Sequence, residues 1–314
     1  MKSIVIYFSQ TGSTEKVAKA IQRGIQSVTR QCDIVKLKDT DLGSLAKYDL
    51  IGLGCPVFAF KEPENVTTFI KRMAKARVLG RHCFVFATHG GHPGNVLPGM
   101  ASKLERVGLR VIGAFNCDGQ LNLPFYSTPW FTDGHPDDID LKQAADFGAE
   151  MARNSERLSK GETVPIPRFK WLRGPLYGRI AAMAKQVKPE LTLDMEKCVY
   201  PKCSLCVEHC PAGAINLSAD PIVYRKGCIG CLVCEHICPI GAIQYAEGWM
   251  ESLWNFVIEL QRTNRYVEWY KRAETELIDN RATLYRRLGG EVEIGNPDKA
   301  YYKVYPKRPR VKHC

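Results

Sequence analysis

The stretch SIVIYFSQTGSTEKVAKAIQRGIQS, residues 3–27, reads as a strand, a loop and a helix in direct succession. SIVIYF is a short continuous apolar run, the signature of a parallel strand buried on both faces. EKVAKAIQRGIQS places Val17, Ala20, Ile21 and Ile25 on one helical stripe. The loop between them, Ser9-Gln10-Thr11-Gly12-Ser13-Thr14, offers hydroxyls and backbone N–H groups at a helix N-terminus, which is an anion site by geometry and dipole. It contains no lysine and is not G-x-G-x-x-G, so neither a nucleoside-triphosphate loop nor a dinucleotide loop is expected. A monophosphate suits it better. A plain Ser or Thr helix cap is the simpler alternative.

Outward from this unit the pattern repeats. Strands are expected at 32–37, 48–54, 82–88 and 109–116, and helices at 63–75, 94–107 and 137–159, the last opened by Asp137 and Asp138 as capping residues. Strands alternating with helices define an α/β doubly wound parallel sheet of five strands. Ligands of such sheets bind at the carboxyl ends of strands. Two further loops fall there, Cys55-Pro56-Val57-Phe58-Ala59-Phe60 and Thr88-His89-Gly90-Gly91. Residues 118–136 form a long loop whose Phe125, Tyr126, Trp130 and Phe131 either cover the sheet edge or form a functional lid.

The loop Ser9-x-Thr11-Gly12-x-Thr14 resembles the first loop of flavodoxins, and the resemblance extends over about the first 160 residues. It implies FMN, its phosphate held by Ser9, Gln10, Thr11, Gly12, Ser13 and Thr14. It also implies an isoalloxazine ring embraced by Pro56, Val57, Phe58 and Ala59 on one side and Thr88, His89, Gly90 and Gly91 on the other. Phe58 is the expected stacking residue, because an aromatic face suits a flat ring. Flavodoxins are usually acidic and this half is not, so a different charge preference in partners is expected.

Eight of the thirteen cysteines fall between Cys198 and Cys238. Clustered thiols in a chain with no signal-peptide pattern point to metal rather than to disulfides. Cys228-x2-Cys231-x2-Cys234-x3-Cys238-Pro resembles the bacterial ferredoxin run, and Cys203-x2-Cys206-x3-Cys210-Pro repeats its end 28 residues earlier. CPAGAI at 210–215 is echoed by CPIGAI at 238–243, an internal duplication. Cys198 completes the first set with a two-residue insertion. In such runs the fourth ligand comes from the other repeat. One [4Fe–4S] cluster is therefore assigned to Cys198, Cys203, Cys206 and Cys238, and a second to Cys228, Cys231, Cys234 and Cys210. Two zinc sites, or a three-iron first cluster lacking Cys198, are the alternatives. Cys32, Cys55, Cys83 and Cys117 read as small buried apolar residues, and Cys314 as a free terminal thiol.

The combination resembles the flavodoxin–ferredoxin fusion proteins of anaerobic bacteria and archaea over residues 1–248. The expected organisation is a flavodoxin-like domain at 1–165, a basic linker at 166–189, a small α+β bacterial 2[4Fe–4S] ferredoxin domain at 190–248 and a helical extension with a basic tail at 249–314. The linker carries six basic residues and no acidic one, and the whole chain has a net charge of +11. No nucleic-acid recognition motif accompanies that charge. No apolar run approaches the ~18 residues of a membrane span, and a cytoplasmic protein is expected. Three functional readings follow. One is an electron carrier feeding a partner redox enzyme with an acidic docking surface. Another is an FMN-dependent reductase acting on a small substrate. The third is a redox-sensing or assembly module. The oligomeric state is open.

Overall fold

The computed structural model describes residues 1–121, 132–171, 190–218 and 227–246. The first half is a five-stranded parallel sheet with the order β2-β1-β3-β4-β5. Its strands are β1 (Ser3–Tyr7), β2 (Cys32–Lys36), β3 (Leu50–Pro56), β4 (His82–His89) and β5 (Arg110–Asp118). The helices are α1 (Ser13–Thr29), α2 (Glu64–Met73), α3 (Val96–Arg106) and α4 (Asp138–Ser159). Two 3-10 segments, Leu37–Asp39 and Leu42–Lys47, join β2 to β3 and were not read from the sequence.

The period of two along each strand divides the core. Ile4, Ile6, Leu53 and Val85 face the layer built by α2 and α3, with Phe69, Met100 and Leu104. Val5, Tyr7, Phe84 and Phe86 face α1 and α4, with Ile21 and Phe147. Phe147 meets Phe84 edge-on and Phe115 nearly parallel, each at 5.4 Å between ring centres. Each fully buried ring contributes on the order of 1.5–3 kcal/mol. On the neighbouring strand Gly52 and Gly54 leave the space these rings occupy. A Cβ there would stand 2.3 Å from the Phe84 ring and 2.1 Å from that of Phe86.

The N-terminus of α4 is closed by a reciprocal cap. The Asp137 carboxylate accepts from the N–H groups of Ile139 and Asp140, and Asp140 accepts from the Asp137 N–H. Asp138 is the first helical residue rather than part of the cap. Helices α1 and α4 meet at backbone distance, because Gly24 faces the Ala145 carbonyl and Gly148 faces that of Ile21.

In the second half, Glu190–Leu193 (β6) pairs antiparallel with Ile243–Ala246 (β7). Leu191, Ile215, Leu217, Leu232 and Ile243 form a small core of their own. Ile215 and Ile243 are the duplicated isoleucines of CPAGAI and CPIGAI. Short helices Leu205–Glu208 and Val233–Ile237 follow the central cysteines of each repeat. Phe125, Tyr126, Trp130 and Phe131, most of the basic linker and the extension after 248 lie outside the described residues. Among the described residues no helix is long and apolar enough to cross a membrane.

Gly24→Ala places a methyl 1.8 Å from the Ala145 carbonyl oxygen, closer than any real contact. Although alanine is the better helix former, urea denaturation is expected to show a loss of about 1–3 kcal/mol.

Candidate functional site

The loop after β1 is shaped by its own groups. The Phe8 N–H donates to the Gly54 carbonyl, and the Gly12 N–H donates to Ser9 Oγ at 3.0 Å. Gly12, at a φ of 100°, occupies the N-cap position of α1, where no side chain caps the helix. The Ser13 hydroxyl is buried and has no hydrogen-bond partner among the described residues. Thr14 Oγ1 lies 2.8 Å from Thr88 Oγ1, which ties this loop to the end of β4. The Gln10 side chain does not turn toward the helix end. Its amide donates to the backbone carbonyl of Cys231.

The loop after β3 is a two-residue hairpin closed by reciprocal bonds between Phe58 and Lys61 at 2.8 and 3.0 Å. Its central residues, Ala59 and Phe60, have φ of 47° and 65°, values that glycine and asparagine normally supply. Each such residue costs on the order of 1 kcal/mol or more unless its surroundings enforce the shape. Here they do. The Val57 N–H donates to the Thr88 carbonyl, and the Phe60 carbonyl accepts from the Asn95 N–H. Phe58 is half-buried and edge-on to Phe8, with ring centres 6.1 Å apart.

In the loop after β4 the sequence-selected residues separate. The His89 side chain is buried, 3.4 Å from Asp118 Oδ1 and 3.2 Å from the Asn116 amide. Gly90 abuts Leu121, whereas a Cβ on Gly91 would meet nothing within 4 Å. Asn116, Asp118 and Gly119 were not selected from the sequence. The Asp-Gly pair at the end of β5 was the available signal.

The cysteines form two groups. Cys228, Cys231 and Cys234 line one cavity together with Cys210 from the first repeat. Burial pushes the Cys231 thiol up to about 12; the Val233 N–H opposes this, and the thiols of Cys234, Cys210 and Cys228 add to it. Cys206 is likewise raised by burial; the Val207 N–H opposes this, and the nearby sulfurs of Cys198 and Cys238 add to it. Three further sulfurs accept backbone N–H bonds. Ala214 donates to Cys210 and Ala242 to Cys238, both at 3.2 Å, and Gly230 donates to Cys228 at 3.5 Å. Cys203 is half-buried. Cys32, Cys55, Cys83 and Cys117 are buried.

Comparison with known proteins identifies both halves. A family model described as Flavodoxin domain matches residues 4–126. The flavodoxin of Megasphaera elsdenii is 29% identical over 111 residues, 35% of this chain and 80% of that protein. The ferredoxin of Methanothermococcus thermolithotrophicus is 37% identical over 59 residues, 18% of this chain and 98% of that protein. A solved archaeal flavodoxin aligns with a TM-score of 0.43 at 23% identity, covering 50% of this chain and 99% of that one. The chain thus carries a flavodoxin domain followed by a ferredoxin domain, an arrangement consistent with a flavodoxin–ferredoxin fusion. The first domain implies FMN and the second implies iron–sulfur clusters. The residues present fit both. The unpartnered Ser13 hydroxyl at an uncapped helix end suits a phosphate, and four thiols on one cavity, with backbone N–H donors to sulfur, suit a cluster.

Past the end of β5, where the Gln120 N–H donates to the His135 carbonyl, His135 Nδ1 lies 2.5 Å from Asp140 Oδ2 in a buried pair. Burial alone would lower the His135 pKa; the hydrogen bond and charge of Asp140, with Asp118 and Asp137, outweigh it and the net shift is upward. A raised value stabilises the fold fully below the ordinary histidine range near 6.5, and that contribution is lost as pH rises through the folded-state value. His135→Gln is therefore expected to lower unfolding free energy by about 1–3 kcal/mol at pH 6 and by clearly less at pH 9, read by urea titration.

Proposed function

We propose that this chain carries electrons between two [4Fe–4S] clusters and FMN, and delivers them at low potential to a partner redox enzyme of anaerobic metabolism. The observation that carries the reading is the convergence of Cys210 with Cys228, Cys231 and Cys234 on one cavity. It supports ligand exchange between the repeats, with Cys198, Cys203, Cys206 and Cys238 serving the other cluster. The sequence spacing supports clusters over zinc: Cys228-x2-Cys231-x2-Cys234-x3-Cys238-Pro, its end repeated 28 residues earlier, is the bacterial ferredoxin run rather than a zinc-ligand spacing.

FMN exchanges electrons singly or in pairs and a cluster exchanges them singly, so one chain holding both links the two kinds of couple. Ser9, Thr11, Gly12, Ser13 and Thr14 hold the phosphate, with Gln10 contributing backbone only. Pro56, Val57, Phe58 and Ala59 flank one side of the ring, and Thr88, His89, Gly90 and Gly91 the other, where the open space at Gly91 favours close approach. The domain limits proposed are 1–165 and 190–248, joined by the basic linker 166–189 and followed by the extension 249–314. The positive net charge favours an acidic docking surface on the partner.

Protein purified without oxygen is expected to contain about eight iron, about eight sulfide and about one FMN per chain. Zinc in place of iron, or iron without flavin, would overturn the reading. Ser13→Ala gives a finer test. Losing a hydrogen bond to a charged phosphate should weaken FMN binding about 10-fold or more. The flavin-free protein should be no less stable, because the hydroxyl has no partner there. Fluorescence titration and thermal unfolding read the two effects separately.

A further inference from the structure

The segment 229–237 is shared between two cores. Cys231 and Val233 are buried in the core of the flavodoxin half, and Ile229 and Ile237 pack against the same core, as do Val57 and Phe58. Leu232 and Cys234 belong instead to the core of the ferredoxin half. Alternate residues up to Cys234, and then the i, i+4 pair Val233 and Ile237, therefore present one apolar face to the flavin loops. At its edge the Gln10 amide donates to the Cys231 carbonyl.

The duplication makes this asymmetry informative. Twenty-eight residues before Ile229, Val233 and Ile237 stand Pro201, Leu205 and His209, all exposed, with Leu205 at 38%. Both repeats keep their cysteines, but among the described residues only the second has an apolar face seated on the flavodoxin half. The first repeat touches that half through an exposed contact, Lys38 Nζ to the Glu208 carbonyl at 2.9 Å.

We infer that Gln10 is a positioning residue that seats the Cys228–Cys234 loop against the flavin loops, so that the electron path to the flavin runs through the cluster of the second repeat. The inference rests on the carrier reading above. Per passage one electron leaves that cluster and one arrives at the flavin. The first-repeat cluster replaces it, drawing in turn on an external one-electron donor, and the reverse path uses the same order. Two passages, with protons from solvent, complete a two-electron reduction.

The test uses the full chain loaded with iron, sulfide and FMN, and compares Gln10→Met, which keeps length and loses the donor, with Lys38→Met as control. Val233→Ala is a second variant that weakens the same seat from its apolar side. Three measurements are made: hydrogen exchange of the 229–235 amides, midpoint potentials of both clusters in EPR-monitored titration, and the rate of flavin bleaching after dithionite reduction. Gln10→Met and Val233→Ala are expected to speed exchange at 229–235 about 3- to 10-fold, with exchange at 203–209 unaltered. They should also shift one cluster potential and slow flavin bleaching, while Lys38→Met leaves all three alone. Loaded protein in which exchange, potentials and bleaching ignore Gln10→Met, or in which Lys38→Met has the larger effect, overturns the positioning role and leaves the carrier reading standing. Wild-type protein that takes up no iron or no FMN overturns the carrier reading itself.

Discussion

A parallel sheet buried on both faces leaves only the ends of its strands for chemistry. Val5, Tyr7, Phe84 and Phe86 are committed to one helical layer, and Ile4, Ile6, Leu53 and Val85 to the other. Whatever the first half binds must therefore be held by the turns that leave β1, β3 and β4. Thr88 joins these turns to one another. Its hydroxyl meets Thr14 and its carbonyl accepts from Val57, so the helix end, the hairpin and the last residues of β4 form one bonded rim. The left-handed Ala59 and Phe60 persist because that rim, with Asn95, fixes the hairpin from outside.

The second half has a small core and shares packing with the first. Its two strands are four residues each, below what an isolated pair needs for stability in water. Burying Cys231 and Val233 against the flavodoxin half extends that core across the junction. An apolar contact of this kind is strong but non-directional. The single amide bond from Gln10 to the Cys231 carbonyl adds direction, since it is satisfied only when the loop is seated in one register.

Much of this was legible in the sequence because periodicity and cysteine spacing are local signals. The strands and helices of the first half follow from alternation and from the stripe of Val17, Ala20, Ile21 and Ile25. The duplicated CPxGAI exposes the ferredoxin half. The failures have one cause, dependence on distant residues. Glu190–Leu193 and Ile243–Ala246 each carry too few residues for a pattern and gain their meaning from pairing across the two cysteine repeats. Ala59 and Phe60 carry no turn signal, because the turn is imposed by Thr88 and Asn95. His89 sits in a loop motif, yet its ring is drawn inward by Asn116 and Asp118 on the next strand. Gln10 belongs to the phosphate loop by sequence, and its side chain is claimed by a carbonyl 221 residues away.

The two repeats separate what a cluster is from where it sits. Both repeats carry four cysteines, a proline after the last, and matching N–H bonds from Ala214 and Ala242 to the sulfurs of Cys210 and Cys238. The intervening residues differ in a way that coordination does not require: Ile229, Val233 and Ile237 against Pro201, Leu205 and His209. Val233 is covered by the flavodoxin half, with Ile229 and Ile237 packed against the same core, whereas Leu205, which matches Val233 in the first repeat, is left exposed. The two-residue insertion after Cys198 falls in the first repeat, where residues 199–202 are exposed. In the seated repeat, by contrast, a longer loop would move Cys231 off the Gln10 amide and Val233 out of the shared core.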